Sequence, residues 1–188
     1  MPEILIIAAT EPELCGHPGL VCGVGPVEAA ASTARALAVR QVDAVLHIGL
    51  AGGLGLEPGA MVIGTEAVYS DLAAAIPVTR SVHPDARLVE AARQRLPDAP
   101  AAPIGTSATV GGPCNSLLQS PAIEGMEGFA VLRACQLAAV PAVEIRVISN
   151  ETGESDRSLW RIDDALAALA QALPGLIASI TAAVSPSP

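Results

Sequence analysis

Ile4-Leu5-Ile6-Ile7-Ala8-Ala9 is an unbroken apolar run of strand length. A strand with one wet face alternates polar and apolar residues. A run without alternation suits a strand buried on both faces, as in a parallel or mixed sheet covered by helices. Residues 43–48 and 143–148 read the same way, and shorter strands are expected at 20–22, 60–68, 76–79, 104–110 and 122–125. Helical stretches fill the gaps. Pro26 stands where a first-turn proline is tolerated, and Val27, Ala30, Ala34, Leu37 and Ala38 follow at helical spacing. Further helices are expected over 84–96 and 127–139. Asp156 is a good N-cap for a last helix. Its apolar stripe runs Leu159, Ile162, Leu166, Leu169, Leu173 until Pro174 interrupts it. Strands alternating with helices predict an α/β fold: a single-domain three-layer α/β/α sandwich spanning 1–188, with a central mixed sheet. No internal repeat or linker divides the chain.

Composition bounds what such a fold can do. A length of 188 residues suits one domain, and 51% apolar residues allow a sizeable core. With one Phe, one Tyr and one Trp, that core must be packed from small aliphatic side chains. The net charge of −9 disfavours nucleic acid and anionic membrane surfaces, which require clustered cations. All ten basic residues are arginines. Lysine Schiff-base chemistry and Walker-type phosphate binding are therefore excluded. Cys15, Cys22, Cys114 and Cys135 form no C-x-x-C pair and have no histidine at ligand spacing. They read as small buried hydrophobes in a reducing compartment, and no metal or cofactor is expected. The N-terminus lacks a basic leader region, and no apolar run approaches the ~20 residues of a membrane span. A cytoplasmic location is expected.

Four segments can carry chemistry. Glu11 lies just past the first buried strand, at the sheet edge where open α/β folds bind ligands. It reads either as a site acid or as a solvated one, with Glu13 its neighbour. Gly23-Val24-Gly25-Pro26-Val27-Glu28-Ala29-Ala30 partly matches G-x-G-x-x-G/A, but Pro26 and the absent third glycine equally suit a plain strand-to-helix turn. Gly49-Leu50-Ala51-Gly52-Gly53 reads as a turn whose backbone can approach a ligand closely. The most specific pair is Glu124-Gly125-Met126-Glu127-Gly128 followed by Glu144-Ile145-Arg146-Val147-Ile148-Ser149-Asn150. It delivers an acid at a strand-to-helix junction and an amide at a strand end. A carboxylate accepts from two vicinal sugar hydroxyls, while an amide donates and accepts along a base edge. His47, inside a buried strand, reads as a satisfied core histidine, and His17 and His83 have no recognisable partners.

The order of these segments resembles the nucleoside phosphorylase/nucleosidase superfamily, which includes methylthioadenosine/adenosylhomocysteine nucleosidase. There, a first-strand acid, a G-x-A-G-G turn, a Met-Glu pair and a late R-x-I-S-D strand build the site. The resemblance covers roughly residues 3–172. With Asp156-Arg157-Ser158-Leu159-Trp160-Arg161-Ile162 added, the pattern is most similar to the futalosine hydrolase branch, which serves menaquinone synthesis.

That resemblance implies a nucleoside phosphorylase-like fold, hydrolysis of a small purine nucleoside and a homo-oligomer. It assigns Glu11 as general base toward water, Glu127 to the ribose 2′- and 3′-hydroxyls, and Met126 beneath the ribose. Asn150 stands where adenine-cleaving relatives carry Asp. Its NH₂ would donate to N7 or O6 and its oxygen would accept from N1–H, which suits hypoxanthine. Ala51, Gly52, Val110, Trp160 and Arg157 would also touch substrate, with Arg157, Trp160 and Arg161 near the benzoate end of futalosine. Cleavage of adenine nucleosides is a further option within the superfamily. Two other readings stand beside these. A phosphorolytic enzyme needs a cationic pocket, yet the arginines nearest the glycine turns are Arg35 and Arg40. A non-catalytic nucleotide-binding domain is favoured by the 23–30 turn, but lacks an acid at a strand end about twenty residues on.

Overall fold

β3 (Ala44–Gly53) is the strand against which the others are laid. A computed structural model describes residues 2–109 and 121–185. Along its first half β3 pairs in parallel with β1 (Ile4–Ala8), which carries β2 (Leu20–Val21) on its far side. On its other edge β3 pairs in parallel with β8 (Ala142–Asn150), from Val45↔Ala142 to Gly52↔Asn150. β8 runs antiparallel to β4 (Met61–Tyr69), which pairs with β5 (Ser81–Val82) and with β6 (Ala101–Thr106). β6 pairs with β7 (Ile123–Gly125), and β7 returns antiparallel to β3 at Gly52 and Gly53. Five strands, β3, β8, β4, β6 and β7, thus close into a ring within a mixed sheet.

The apolar runs encode two cores because alternate side chains leave a strand on opposite faces. Leu46, Ile48 and Ile145 pack with Leu88 of α2 (Ala86–Arg95) and Leu169 and Leu173 of α4 (Ile162–Val184). Leu5, Ile7 and Val45 pack on the other side with Ala29 and Ala36 of α1 (Pro26–Val39) and Leu132 of α3 (Gly128–Leu137). The result is the expected α/β/α sandwich, with alanines allowing the helices to lie close.

Several elements depart from the sequence reading. The glycine-rich segment 49–53 is not a turn: it continues β3, and none of its glycines has a positive φ. The glycines are there because distant side chains fill the space a Cβ would take. A Cβ on Gly49 would lie 2.2 Å from an Arg146 terminal nitrogen, and one on Gly53 would lie 2.6 Å from Ile148 Cδ1. The strand expected at 76–79 forms later and shorter, as β5. β6 begins at Ala101, and its Pro103, which has no N–H to give, sits opposite Glu66 of β4, just past a register shift between Gly64 and Glu66.

Asp156 caps a separate single turn, Arg157–Leu159, accepting from Ser158 N at 2.9 Å. Leu159 falls outside the last stripe and is exposed. α4 then runs unbroken through Pro174, because Pro174 and Ala170 are both exposed, so that the carbonyl deprived of its partner faces water. With 23 residues, of which an 18-residue stretch has mean hydropathy 1.7, α4 is long and apolar enough to cross a membrane by length and composition, contrary to the expectation that no such run exists. Its stripe Ala165, Leu169, Leu173, Leu176 and Ile180 is fully buried in the core, so here it serves as a core helix.

Candidate active site

The parallel strands β1, β3 and β8 end along one edge, where a cavity of about 460 Å³ opens between them and the start of α3. Glu13, Met126, Glu127 and Asn150 all line it. They come from both ends of the chain.

Glu13 reaches the cavity because β1 is followed by one tight turn, Pro12–Leu14. Proline opens the turn, Leu14 anchors in the core, and Glu13 swings inward to 7% exposure. Its Oε2 accepts from Thr10 N (2.9 Å) and Thr10 Oγ1 (2.7 Å), and its Oε1 accepts from Leu50 N (3.0 Å). Glu11, the acid assigned from sequence, is exposed and lies outside the described lining. The residue that the sequence reading set aside as its neighbour occupies the site instead. A signal for it was present: Thr10-x-x-Glu13 has the spacing at which a Ser/Thr and a Glu bracket the start of a helical turn.

Glu127 ends β7's connection to α3 and is 4% exposed. Its Oε1 accepts from Gly25 N (3.1 Å), and its Oε2 faces an Arg146 terminal nitrogen at 3.4 Å. The Gly23–Pro26 turn therefore serves a carboxylate of the protein. Gly25 adopts φ 93°, a conformation in which side chains are strained, and so aims its N–H at Glu127.

Arg146 lies beneath the cavity, fully buried. Its Nε donates to Glu144 Oε1 (2.8 Å), and one terminal nitrogen donates to His47 Nε2 (2.6 Å). A guanidinium can only donate, so His47 Nε2 must be unprotonated, and its Nδ1–H is given to Ile7 O (3.0 Å). Burial, reinforced by the neighbouring Arg146 charge, holds the imidazole pKa well below its ordinary value. Burial pushes the Glu144 carboxyl up, with Arg146 opposing. His47 is thus a neutral core histidine whose partner is the arginine that braces Glu127.

Asn150, 5% exposed, ends β8. Its Oδ1 accepts from Ser149 Oγ (2.7 Å), and its Nδ2 donates to Glu151 O (2.9 Å). Ala51 and Gly52 form the adjoining wall. At the mouth, the Arg157 guanidinium lies 5.2 Å from the Trp160 ring centroid, and Trp160 Nε1 donates to Glu154 O (3.1 Å). Val110 lies outside the described residues. Phe129, the single phenylalanine, stacks on Tyr69 at 5.2 Å and lines the separate α1/α3 groove.

The arrangement sets two buried carboxylates, braced by backbone N–H groups, beside an amide in one cavity. Carboxylates so placed can hydrogen-bond a hydroxylated ligand and stabilise positive charge developing on it. A profile of the phosphorylase superfamily matches residues 14–182. The chain is 36% identical over 177 residues to futalosine hydrolase of Streptomyces coelicolor, covering 82% of this chain and 75% of that one. It is 32% identical over 180 residues to futalosine hydrolase of Thermus thermophilus, covering 85% and 80%. Among solved structures it resembles the 5′-methylthioadenosine/S-adenosylhomocysteine nucleosidase of Colwellia psychrerythraea in complex with adenine. The TM-score there is 0.84 at 24% identity, over 95% of this chain and 96% of that one.

Proposed function

This chain belongs to the phosphorylase superfamily, and on that premise we propose that its cavity hydrolyses futalosine at the N-glycosidic bond, releasing hypoxanthine. It is a nucleosidase, as its futalosine hydrolase and methylthioadenosine nucleosidase relatives are. The observation that carries the assignment of roles is the convergence of Glu13, Glu127 and Asn150 on one cavity.

Glu13 holds the attacking water and takes its proton, a contribution of about 10²–10⁴-fold for a positioned general base. Glu127 accepts from the ribose 2′- and 3′-hydroxyls. The sugar becomes cationic as the C–N bond breaks, and the two carboxylates stabilise that charge. The bonding electrons leave with the purine. Asn150 donates a hydrogen bond to N7 but has no proton to transfer, so the departing base is protonated from water. Arg157, resting on Trp160 at the mouth, pairs in this reading with the benzoate carboxylate of futalosine.

Hydrolysis is favoured over phosphorolysis by the cations. Among the described lining residues Arg157 is the only one, and it is exposed at the mouth. Arg146 is already paired with Glu144 and Glu127. Purified protein assayed in phosphate-free buffer against futalosine, inosine and methylthioadenosine should release free hypoxanthine from futalosine. Strict dependence on phosphate would overturn the hydrolytic reading.

We also infer that a second copy of this chain covers the α1/α3 groove, where Val27 is 77% exposed and Leu137 72% exposed. An apolar surface of this kind marks an interaction site. The reaction is assigned to the cytoplasm.

A further inference from the structure

Asn150 alone does not read the six-membered ring of a purine. Ser149 Oγ takes one lone pair of its Oδ1, and Glu151 O takes one hydrogen of its Nδ2. One N–H and one Oδ1 lone pair are left for the ligand; with the N–H given to the adjacent N7 and O6 acceptors of hypoxanthine, the N1 edge still calls for a reader of its own. Beside O6 that base presents N1–H, a donor. Adenine presents the reverse: an amino donor at position 6 and a bare acceptor at N1. A pocket that selects between them needs an acceptor at N1.

Glu124 meets that need. It lies on β7 directly opposite Gly52 of β3 and lines the cavity. A Cβ on Gly52 would lie 3.0 Å from Glu124 Oε1 and 3.1 Å from Asn150 Nδ2. The carboxylate and the amide therefore flank the same patch of wall, kept open by the absence of a side chain. Gly153 N donates to Glu124 Oε1 at 2.8 Å, which fixes the carboxylate while Oε2 makes no hydrogen bond among the described residues. Glu124 has no ion-pair partner among the described residues either. In the reading above, the two catalytic acids are committed elsewhere, Glu13 to the water and Glu127 to the ribose. Glu13 is bonded at Thr10 and Leu50, and Glu127 at Gly25 and Arg146.

We propose that Glu124 is the specificity-determining residue for the base, accepting from N1–H of a 6-oxopurine and repelling the N1 lone pair of a 6-aminopurine. This rests on the nucleosidase reading above. A carboxylate offers only acceptors, so it discriminates where an amide, which can turn over, does not. A site built around a hydrogen bond rejects the mismatched analogue by factors of up to ~10⁴–10⁵.

The test compares wild type, Glu124→Gln and Glu124→Ala. Each is assayed for free-base release from futalosine, inosine and methylthioadenosine, and for equilibrium binding of hypoxanthine and adenine. With Glu124→Gln, kcat/KM on the 6-oxopurine nucleosides should fall about 10²–10³-fold, and the preference over methylthioadenosine should shrink by a similar factor. Glu124→Ala should lose the 6-oxo activity without gaining adenine binding. A wild type active on 6-oxopurine nucleosides whose preference survives both substitutions within threefold would overturn the proposal, as would a wild type that binds adenine better than hypoxanthine. If wild type cleaves no nucleoside, the nucleosidase reading fails by itself. The two binding constants then decide the role of Glu124: preference for hypoxanthine lost in Glu124→Gln supports it, and unchanged preference overturns it.

Discussion

Glu11 and Glu13 carry the same side chain two positions apart, and the turn at Pro12 sends one to water and the other into the cavity. Glu13→Gln should lower kcat about 10²–10⁴-fold, while Glu11→Gln should stay within about twofold. Initial rates at saturating substrate distinguish them, and equal losses would remove Glu13 from the reaction. His47 supplies a prediction of a different kind. It is neutral in the folded protein, its pKa held well below the ordinary value by burial and Arg146. An unfolded histidine takes up a proton below about pH 6.5. The unfolded state then binds more protons than the folded one, so stability is present above that pH and lost below it. One such group contributes a slope of up to about 1.4 kcal/mol per pH unit. Glu144, its pKa raised by burial, contributes with the opposite sign, its share fading as pH rises. The difference between wild type and His47→Gln in urea unfolding from pH 5 to 7 isolates the histidine, and parallel curves would mean that His47 charges in the native state.

At the scale of elements, β3 holds the lesson about what a sequence discloses. Its first half was legible, because 44–48 is apolar and lies among other such runs. Its second half was not. Gly49, Gly52 and Gly53 look like a turn when only local preferences are weighed, and their true partners, Arg146, Asn150 and Ile148, stand far along the chain. Glu13 was legible only in part: the local Thr10-x-x-Glu13 spacing marks a helical turn, but nothing local says that Leu50 N–H awaits its carboxylate. Pro174 misled in the other direction, since its tolerance depends on which side of α4 faces water. The residues of 124–128 and 144–150 were legible because a Met-Glu pair and a Ser-Asn strand end form a distinctive pattern whatever lies between. Two of the three glycines of β3, Gly49 and Gly52, should therefore respond differently to alanine. Gly49→Ala drives a Cβ against the fully buried Arg146 and within 3.0 Å of Glu13 Oε1. It should cost about 3–5 kcal/mol, as other disruptions of buried charge pairs do. Gly52→Ala meets Glu124 and Asn150 at 3.0–3.1 Å, at the edge of an open cavity. It should raise KM with little change in Tm. Thermal melts and steady-state kinetics on the pair check this, and equal destabilisation would refute the distinction.

For the molecule as a whole, the net charge of −9 keeps copies apart at long range, whereas the α1/α3 groove offers them an apolar meeting place. Sedimentation equilibrium should give a mass at least twice 18.9 kDa, and Val27→Glu with Leu137→Glu should return the monomer. A wild-type monomer at micromolar concentration would dismiss the assembly. The ring of five strands carries a kinetic consequence. β8 must slot between β3 and β4, yet on that edge of β3 Val45 has to wait for Ala142. Pairings so distant along the chain form slowly, and synthesis supplies the N-terminal portion first. A nascent chain halted before residue 142 has neither the Arg146 brace nor Asn150, and its β3 and β4 edges remain unzipped. Catalytic competence is therefore acquired in the last stage of maturation, and until then those edges stay open to mispairing.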